Sequence, residues 1–263
     1  MTTWEVLFLG MFQGITEFLP ISSSGHLALA EHFFGLPAER LLAFDVVLHG
    51  GTLLSLLILF WRDLWEMLFT TKKTSSKEIH GKNLLLLLFL ASIPAGLLGV
   101  FAKDFFESMR SPMVIGYGFL FSGICFLLAE KIPRKKYPSL SFFAGMVAGV
   151  FQAFAPFAGV SRSGITTAGA MFAGVERATA TRFSFFLGIP ILSGALLLQL
   201  ISLFSGKSDF PFSFFVVSIG FITSALIGYA IAKYLLKFFQ EYSLYPFAYY
   251  LLGTGALLVV FRW

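Results

Sequence analysis

Apolar residues run almost unbroken at about 42–62, 83–102, 112–130, 180–203, 212–236 and 244–262. As helices these runs are each about long enough to cross roughly 30 Å of hydrocarbon, so the pattern predicts six transmembrane spans. Two further apolar pieces, about 4–19 and 141–155, are shorter, and each runs into Pro, Gly and Ser before a second short segment. Irregular backbone at membrane depth persists only where protein or a water-filled cavity satisfies it. Both broken pieces therefore predict re-entrant helical hairpins, at about 4–35 and 141–175.

The two broken pieces are copies. Sliding the chain by 139 positions lays Gln13 on Gln152, Phe18 on Phe157, Ser22 on Ser161, Ser24 on Ser163 and Gly25 on Gly164. The match continues weakly downstream, where Phe44 and Leu48 meet Phe183 and Leu187. Residues 1–130 then form one repeat of a hairpin and three spans, and 140–263 a second, joined by the basic linker 131–139. Three spans is an odd number, so the second copy enters the membrane from the opposite face. The expected fold is an all-α polytopic membrane protein built as an inverted-topology repeat, whose broken-helix tips meet near the midplane at a ligand site.

Composition agrees with the pattern and narrows the function classes. With 57% hydrophobic residues, 13% charged and a mean hydropathy of +0.83, the chain is too apolar for a soluble domain. The net charge of +5 does not indicate nucleic acid, because Lys and Arg lie in short loops between apolar runs, where they act as topology determinants. One side of the six-span arrangement collects the loop from Arg62 to Lys82, the linker, Arg177, Arg182, Lys233 and Lys237; the other has Arg40, Lys103, Arg110, Lys207 and Arg262. The rich side is expected to be cytoplasmic, with both termini outside and the first hairpin dipping in from the outer face. Cys125 lies within an apolar run, so neither a disulfide framework nor a cysteine metal site is expected. The start, MTTWEVLFLG, has no basic region or small-residue cleavage site, and the first helix is expected to be retained.

The chemistry sits in QGITEFLPISSSGHL, residues 13–27. Gln13 and Glu17 are four apart and share a helix face, where they present oxygens to a hard cation or a proton. After Pro20, the serines Ser22, Ser23 and Ser24 occupy the start of the next short helix, whose unpaired N–H groups attract anions. Ser23 offers a hydroxyl that either attacks or positions a water, and His26, three residues on, an acid or base. In the second copy, AGVSRSGITTAG keeps the serine-rich helix start but places Arg162 at the middle position, a planar donor fork suited to phosphate. Glu, Ser, His and Arg at converging helix starts describe a phosphoryl-transfer site, and a charged residue inside a membrane is costly unless it serves a site. Asp45 and His49, also four apart near the outer end of a span, fit a site-edge role and an interfacial position equally well. Glu176, Arg177 and Arg182 read as a cytoplasmic charge cluster.

At these residues the chain resembles the undecaprenyl pyrophosphate phosphatases of the bacitracin-resistance type. QGITEFLPISSSGHL matches that family's Glu/Gln-x-x-x-Glu and Pro-x-Ser-Ser-Ser/Thr-Gly-His signature, and GVSRSGITT its Pro-Gly-x-Ser-Arg-Ser-x-x-Thr signature. RFSFFLGIP after the second hairpin extends the resemblance over the whole chain. Ala158 departs from the pattern, standing where the second signature has proline. The resemblance implies hydrolysis of a C55 isoprenyl pyrophosphate lipid to its monophosphate, with recycling of the cell-wall carrier and bacitracin resistance. It implies Gln13 and Glu17 as the pair associated with a divalent cation, Mg²⁺ or Ca²⁺. Ser23 is then the nucleophile and His26 the acid or base; Arg162 with Ser161, Ser163 and Thr166 holds phosphate, and Ser22, Ser24, Gly25 and Gly164 complete the binding loops. A bacterial plasma-membrane location with the site open to the outer face follows, and a homodimer is compatible with it. Two other classes stand beside this reading. An inverted-repeat transporter or flippase would have no use for the Ser/His pair. A phosphatidic-acid-type phosphatase would require His and Asp where Ala168 and Phe172 stand.

Overall fold

The computed structural model describes residues 2–33, 38–69, 81–133, 140–205 and 212–261, and the regular elements among them are twelve helices with no strand. In chain order they are α1 (Thr3–Thr16), α2 (Ser23–Phe33), α3 (Ala38–Leu59), α4 (Trp61–Phe69), α5 (Lys82–Phe101) and α6 (Lys103–Ser108). There follow α7 (Pro112–Lys131), α8 (Phe142–Gln152), α9 (Arg162–Phe172), α10 (Arg177–Phe204), α11 (Phe214–Glu241) and α12 (Tyr245–Val260). Hydroxyl caps start many of them. Thr2 closes a capping box with Glu5 at α1, and Ser111, Ser141, Ser161 and Ser213 accept from the first turns of α7, α8, α9 and α11.

Both broken pieces are pairs of short helices, α1 with α2 and α8 with α9. The expected spans correspond to α3, α5, α7, α10, α11 and α12, with differences. Helices α5, α7, α10 and α11 are long and apolar enough to cross a membrane. A fifth candidate is α3 taken with α4, into which it bends by 68° at Phe60. Helix α12 has 16 residues, which rise about 24 Å, short of a full hydrocarbon core. Sequence reading placed α4 in a loop. It is instead an amphipathic helix whose exposed face stacks Trp61, Trp65 and Phe69. Of the charges used to orient the chain, residues 70–80 and 134–139, Lys207 and Arg262 lie outside the described residues.

Packing exchanges partners between the halves. Helix α1 packs on α11, and its offset counterpart α8 packs on α5; α3 meets α10 and α7 meets α12. Glycines at matching positions make the close approaches. A methyl added at Gly116 of α7 would lie 3.0 Å from the Gly255 carbonyl, and one at Gly255 of α12 2.8 Å from the Gly116 carbonyl. These two glycines are 139 residues apart, and small residues at such crossings let membrane helices approach backbone to backbone. Phe18, Phe119, Phe126 and Phe185 are buried in one apolar core, and the Phe119 and Phe126 rings lie against Gly25 of α2 and Gly164 of α9.

Candidate active site

The tips of the two short-helix pairs interlock. A methyl on Gly25 would meet Gly159 at 3.0 Å and Phe119 at 2.8 Å, while one on Gly164 would meet Pro20 at 2.9 Å and the Phe126 ring. Shifting by 139 maps each of the Gly25–Gly159 and Gly164–Pro20 contacts onto the other. Gly25 and Gly164 thus serve close approach of the tips. Ser163 Oγ reaches the Leu19 carbonyl at 3.4 Å, which ties the second tip to the first.

The first tip turns at Ser22, the one non-glycine residue with positive φ (71°) among the described residues. Left-handed backbone is strained for a residue with a Cβ, and such strain concentrates at functional sites. Here it lets Ser22 Oγ cap the Gly25 N–H at 3.3 Å and turns Ser23 back toward α1.

Glu17 is the centre of the arrangement and is 6% exposed. Its Oε2 accepts from Ser23 Oγ at 2.6 Å and from Gln13 Nε2 at 3.0 Å, and its Oε1 pairs with Arg162 Nη2 at 2.5 Å. Glu17 caps the C-terminus of α1 and Arg162 opens α9, so each charge stands at the unfavourable end of its own helix dipole. Each needs the other, and the pair joins the two halves. Arg162 Nη1 also donates to the Ser184 carbonyl at 3.4 Å.

The two candidate histidines part company. His26 Nδ1 lies 2.9 Å from the Ser22 carbonyl and Nε2 2.7 Å from Tyr250 Oη; its ring stacks between Phe119 and Tyr250. A carbonyl only accepts, so Nδ1 carries the proton there, and neutral His26 accepts from the tyrosine. Both nitrogens are occupied away from Ser23. His49, whose role the sequence left open, lies on the site: its Nε2 is 3.5 Å from Glu17 Oε2, and its Nδ1 donates to the Asp45 carbonyl at 2.7 Å. Nε2 is thereby the nitrogen left to exchange a proton with the site. Behind it, Arg110 Nη2 is 3.6 Å from Asp45 Oδ2.

In the second tip, Ser161 caps the Gly164 N–H at 3.2 Å, and its own N–H donates to Ser122 Oγ at 3.1 Å. Thr166 is wholly buried and donates to the Arg162 carbonyl at 2.8 Å, with Ser184 Oγ at 2.6 Å. It braces the turn that carries Arg162.

A cavity of about 750 Å³ opens above this cluster. Its floor includes Glu17, Ser22, Ser23, Ser24, His49, Ser161, Arg162, Ser163 and Gln152. Its walls are apolar residues of α5 and α10. Phe89, Leu97, Leu197 and Leu198 belong to the wall and are also exposed, so the groove opens sideways onto the apolar exterior. Among the described residues, Gln13, Gly25, His26, Gly164 and Thr166 stand behind the wall. Sequence reasoning gave no role to Gln152, Ser122, Ser184 or Tyr250; the repeat offset already marked Gln152 as the twin of Gln13, and Ser184 falls within RFSFFLGIP.

For a divalent cation, the protein donors are Glu17 on the cavity floor and, behind it, the buried Oε1 of Gln13, which has no hydrogen-bond partner among the described residues. No group of three or more His, Cys, Asp or Glu side chains among the described residues is arranged around a metal. Mg²⁺ bound together with substrate phosphates takes only one or two carboxylates from the protein, so this sparse set fits a cation that arrives with a pyrophosphate.

Residues 6–257 match the family model of the bacitracin resistance protein BacA. The chain is 38% identical over 261 residues to undecaprenyl-diphosphatase 3 of Bacillus cereus, an alignment covering 98% of this chain and 96% of that one. An undecaprenyl-diphosphatase of Rubrobacter xylanophilus is also 38% identical, with 96% of each chain covered. A third, from Alkaliphilus metalliredigens, is 35% identical with 99% of each covered. Its apolar helices and these matches over nearly its whole length place the chain, a multi-pass membrane protein, in the BacA family of bacitracin resistance proteins.

Proposed function

We propose that this protein hydrolyses undecaprenyl pyrophosphate to undecaprenyl phosphate and inorganic phosphate, recycling the cell-wall carrier lipid and conferring bacitracin resistance. The relatives' names give the substrate class. The observation that carries the reading is the Ser23 hydroxyl 2.6 Å from the Glu17 carboxylate, with Arg162 on the other carboxylate oxygen, at the floor of an apolar groove.

In this mechanism Glu17 takes the Ser23 proton as Oγ attacks the terminal phosphorus, and the bond from that phosphorus to the bridging oxygen breaks. The isoprenyl monophosphate leaves, and a water then hydrolyses the phosphoseryl group to release inorganic phosphate. Arg162 holds oxygens of the transferred phosphoryl group with its planar fork, together with the N–H groups at the start of α9. Preorganised charges and donors of this kind usually supply most of the rate enhancement in phosphoryl transfer. His49 Nε2 exchanges the proton on Glu17, and His26 holds the Ser22 turn through its carbonyl. A divalent cation, Mg²⁺ or Ca²⁺, held by Glu17 and Gln13 would neutralise phosphoryl charge when bound. The lipid chain lies between α5 and α10, and membrane lipid closes the open side.

Each half is read as one member of an inverted repeat, with a re-entrant hairpin followed by three spans. The exchanged packing of α1 on α11 and α8 on α5 supports this. By the charge count the linker faces the cytoplasm, both termini lie outside, and the site opens outward. Phosphate release from purified protein in detergent, given C55 isoprenyl pyrophosphate with and without chelator, tests the activity. Release that depends on a divalent cation supports it; none under any cation removes it.

A further inference from the structure

We propose that Gln152 is a substrate-binding residue whose amide holds the phosphoryl group that remains on the lipid. The inference rests on the phosphatase reading above and extends it to a residue outside both signature motifs. Gln152 ends α8, is wholly buried, and lines the same cavity as Glu17, Ser23 and Arg162. Neither its Nε2 nor its Oε1 has a hydrogen-bond partner among the described residues. Buried amides left this way are uncommon because water's hydrogen bonds are lost without replacement.

The repeat explains how the amide came to be unpartnered. In the first copy Gln13 donates to Glu17, four residues on, at 3.0 Å. The position four beyond Gln152 holds Pro156, which has no side-chain donor or acceptor and also lines the cavity. The second copy has the amide without an internal partner, leaving both polar atoms for a ligand that enters the cavity. Two N–H donors suit phosphoryl oxygens, and the carbonyl oxygen suits a water carried by the headgroup.

Position decides which phosphoryl group is held. Ser23 and Arg162 converge on the Glu17 side, where the terminal phosphorus is attacked. Helix α8 packs on α5, where a methyl on Gly149 would lie 2.7 Å from the Ala91 Cα. The next residue, Ser92, lines the cavity, followed along α5 by Ile93 and Gly96 of the groove wall. Gln152 therefore stands where the apolar chain joins its headgroup, beside the phosphate esterified to the lipid.

The test is Gln152→Leu, with Gln152→Met as a second apolar replacement should the branched side chain disturb α8. Affinity for an isoprenyl monophosphate is measured by calorimetry in detergent, and inhibition of turnover by inorganic phosphate is measured in parallel. A hydrogen bond to a charged group predicts about 10-fold or greater loss of monophosphate affinity. Inhibition by inorganic phosphate stays within about 2-fold, and thermal stability is unchanged or higher, because the removed amide had no protein partner. Unchanged monophosphate affinity in a folded variant overturns the proposal, as does a parallel loss of stability and of affinity for both ligands, the signature of a packing role. Calorimetry needs no turnover. Failure of the phosphatase reading would instead appear as wild-type protein that releases no phosphate.

Discussion

Replacing Glu17 by Gln keeps the side chain's shape and removes its charge, which makes it a stringent perturbation of the site. The carboxylate accepts from Ser23, Gln13 and Arg162 at once. An amide has one acceptor, so either orientation turns its NH₂ toward the Arg162 or the Gln13 donor. Arg162, whose side chain is 12% exposed, is left without its counter-charge. Unit charges about 4 Å apart attract by about 4 kcal/mol at an effective dielectric constant of about 20, and breaking a buried pair costs about 3–5 kcal/mol. For a chain of this size that corresponds to a thermal midpoint lower by roughly 6–20 °C. Loss of the general base adds a fall of about 10²–10⁴-fold in phosphate release per folded molecule. The double variant Glu17→Gln with Arg162→Met removes both charges. It should regain most of the stability and none of the activity. The assays are thermal unfolding in detergent and phosphate release on the same preparations. A single variant that unfolds within about 2 °C of wild type and retains release within about 3-fold would refute the reasoning.

Three further outcomes follow from the same geometry. Ser22→Gly and Ser22→Ala both lose the Oγ cap, but glycine reaches φ 71° freely and should stay close to wild type, while alanine keeps the strain and costs about 1 kcal/mol, read as the order of thermal midpoints. Glu130→Gln should cost about 3–5 kcal/mol through the uncompensated charge of buried Arg177, with turnover per folded molecule unchanged; equal midpoints would contradict it. Chelation should abolish phosphate release and Mg²⁺ or Ca²⁺ restore it; full activity in chelator would exclude the cation.

The helical class and the two broken pieces were legible because membrane helices announce themselves by apolar length, and because Pro20 and the serine runs interrupt it. The partnership of Glu17 with Arg162 was only half legible. Each charge is costly where it stands, which marked both as functional, yet nothing in the spacing of residues 145 positions apart states that they touch. Arg177 shows the opposite failure. The sequence grouped it with Glu176 and Arg182 as a cytoplasmic charge cluster, whereas it is buried and paired elsewhere, with Nε 2.8 Å and Nη2 3.1 Å from the Glu130 carboxylate and Nη1 on the Tyr242 carbonyl. His26 and His49 follow the same rule. His26 is the histidine next to Ser23 along the chain, but the turn at Ser22 carries its ring into the Phe119–Tyr250 stack. His49 comes to the carboxylate from another helix. Thr166 sits four residues from Arg162 on α9, so its hydroxyl meets the Arg162 carbonyl, a local bond that helix periodicity permits and a motif alone does not reveal.

The most direct test of the central claim, that Ser23 poised on Glu17 is the attacking group, is the rate of phosphate release by purified Ser23→Ala. Removing a nucleophile while leaving Glu17, Arg162 and His49 in place predicts a loss of at least about 10²-fold in kcat/KM with thermal stability little changed. Ser23→Ala that turns over C55 isoprenyl pyrophosphate at the wild-type rate would contradict the account and assign the attack to a water.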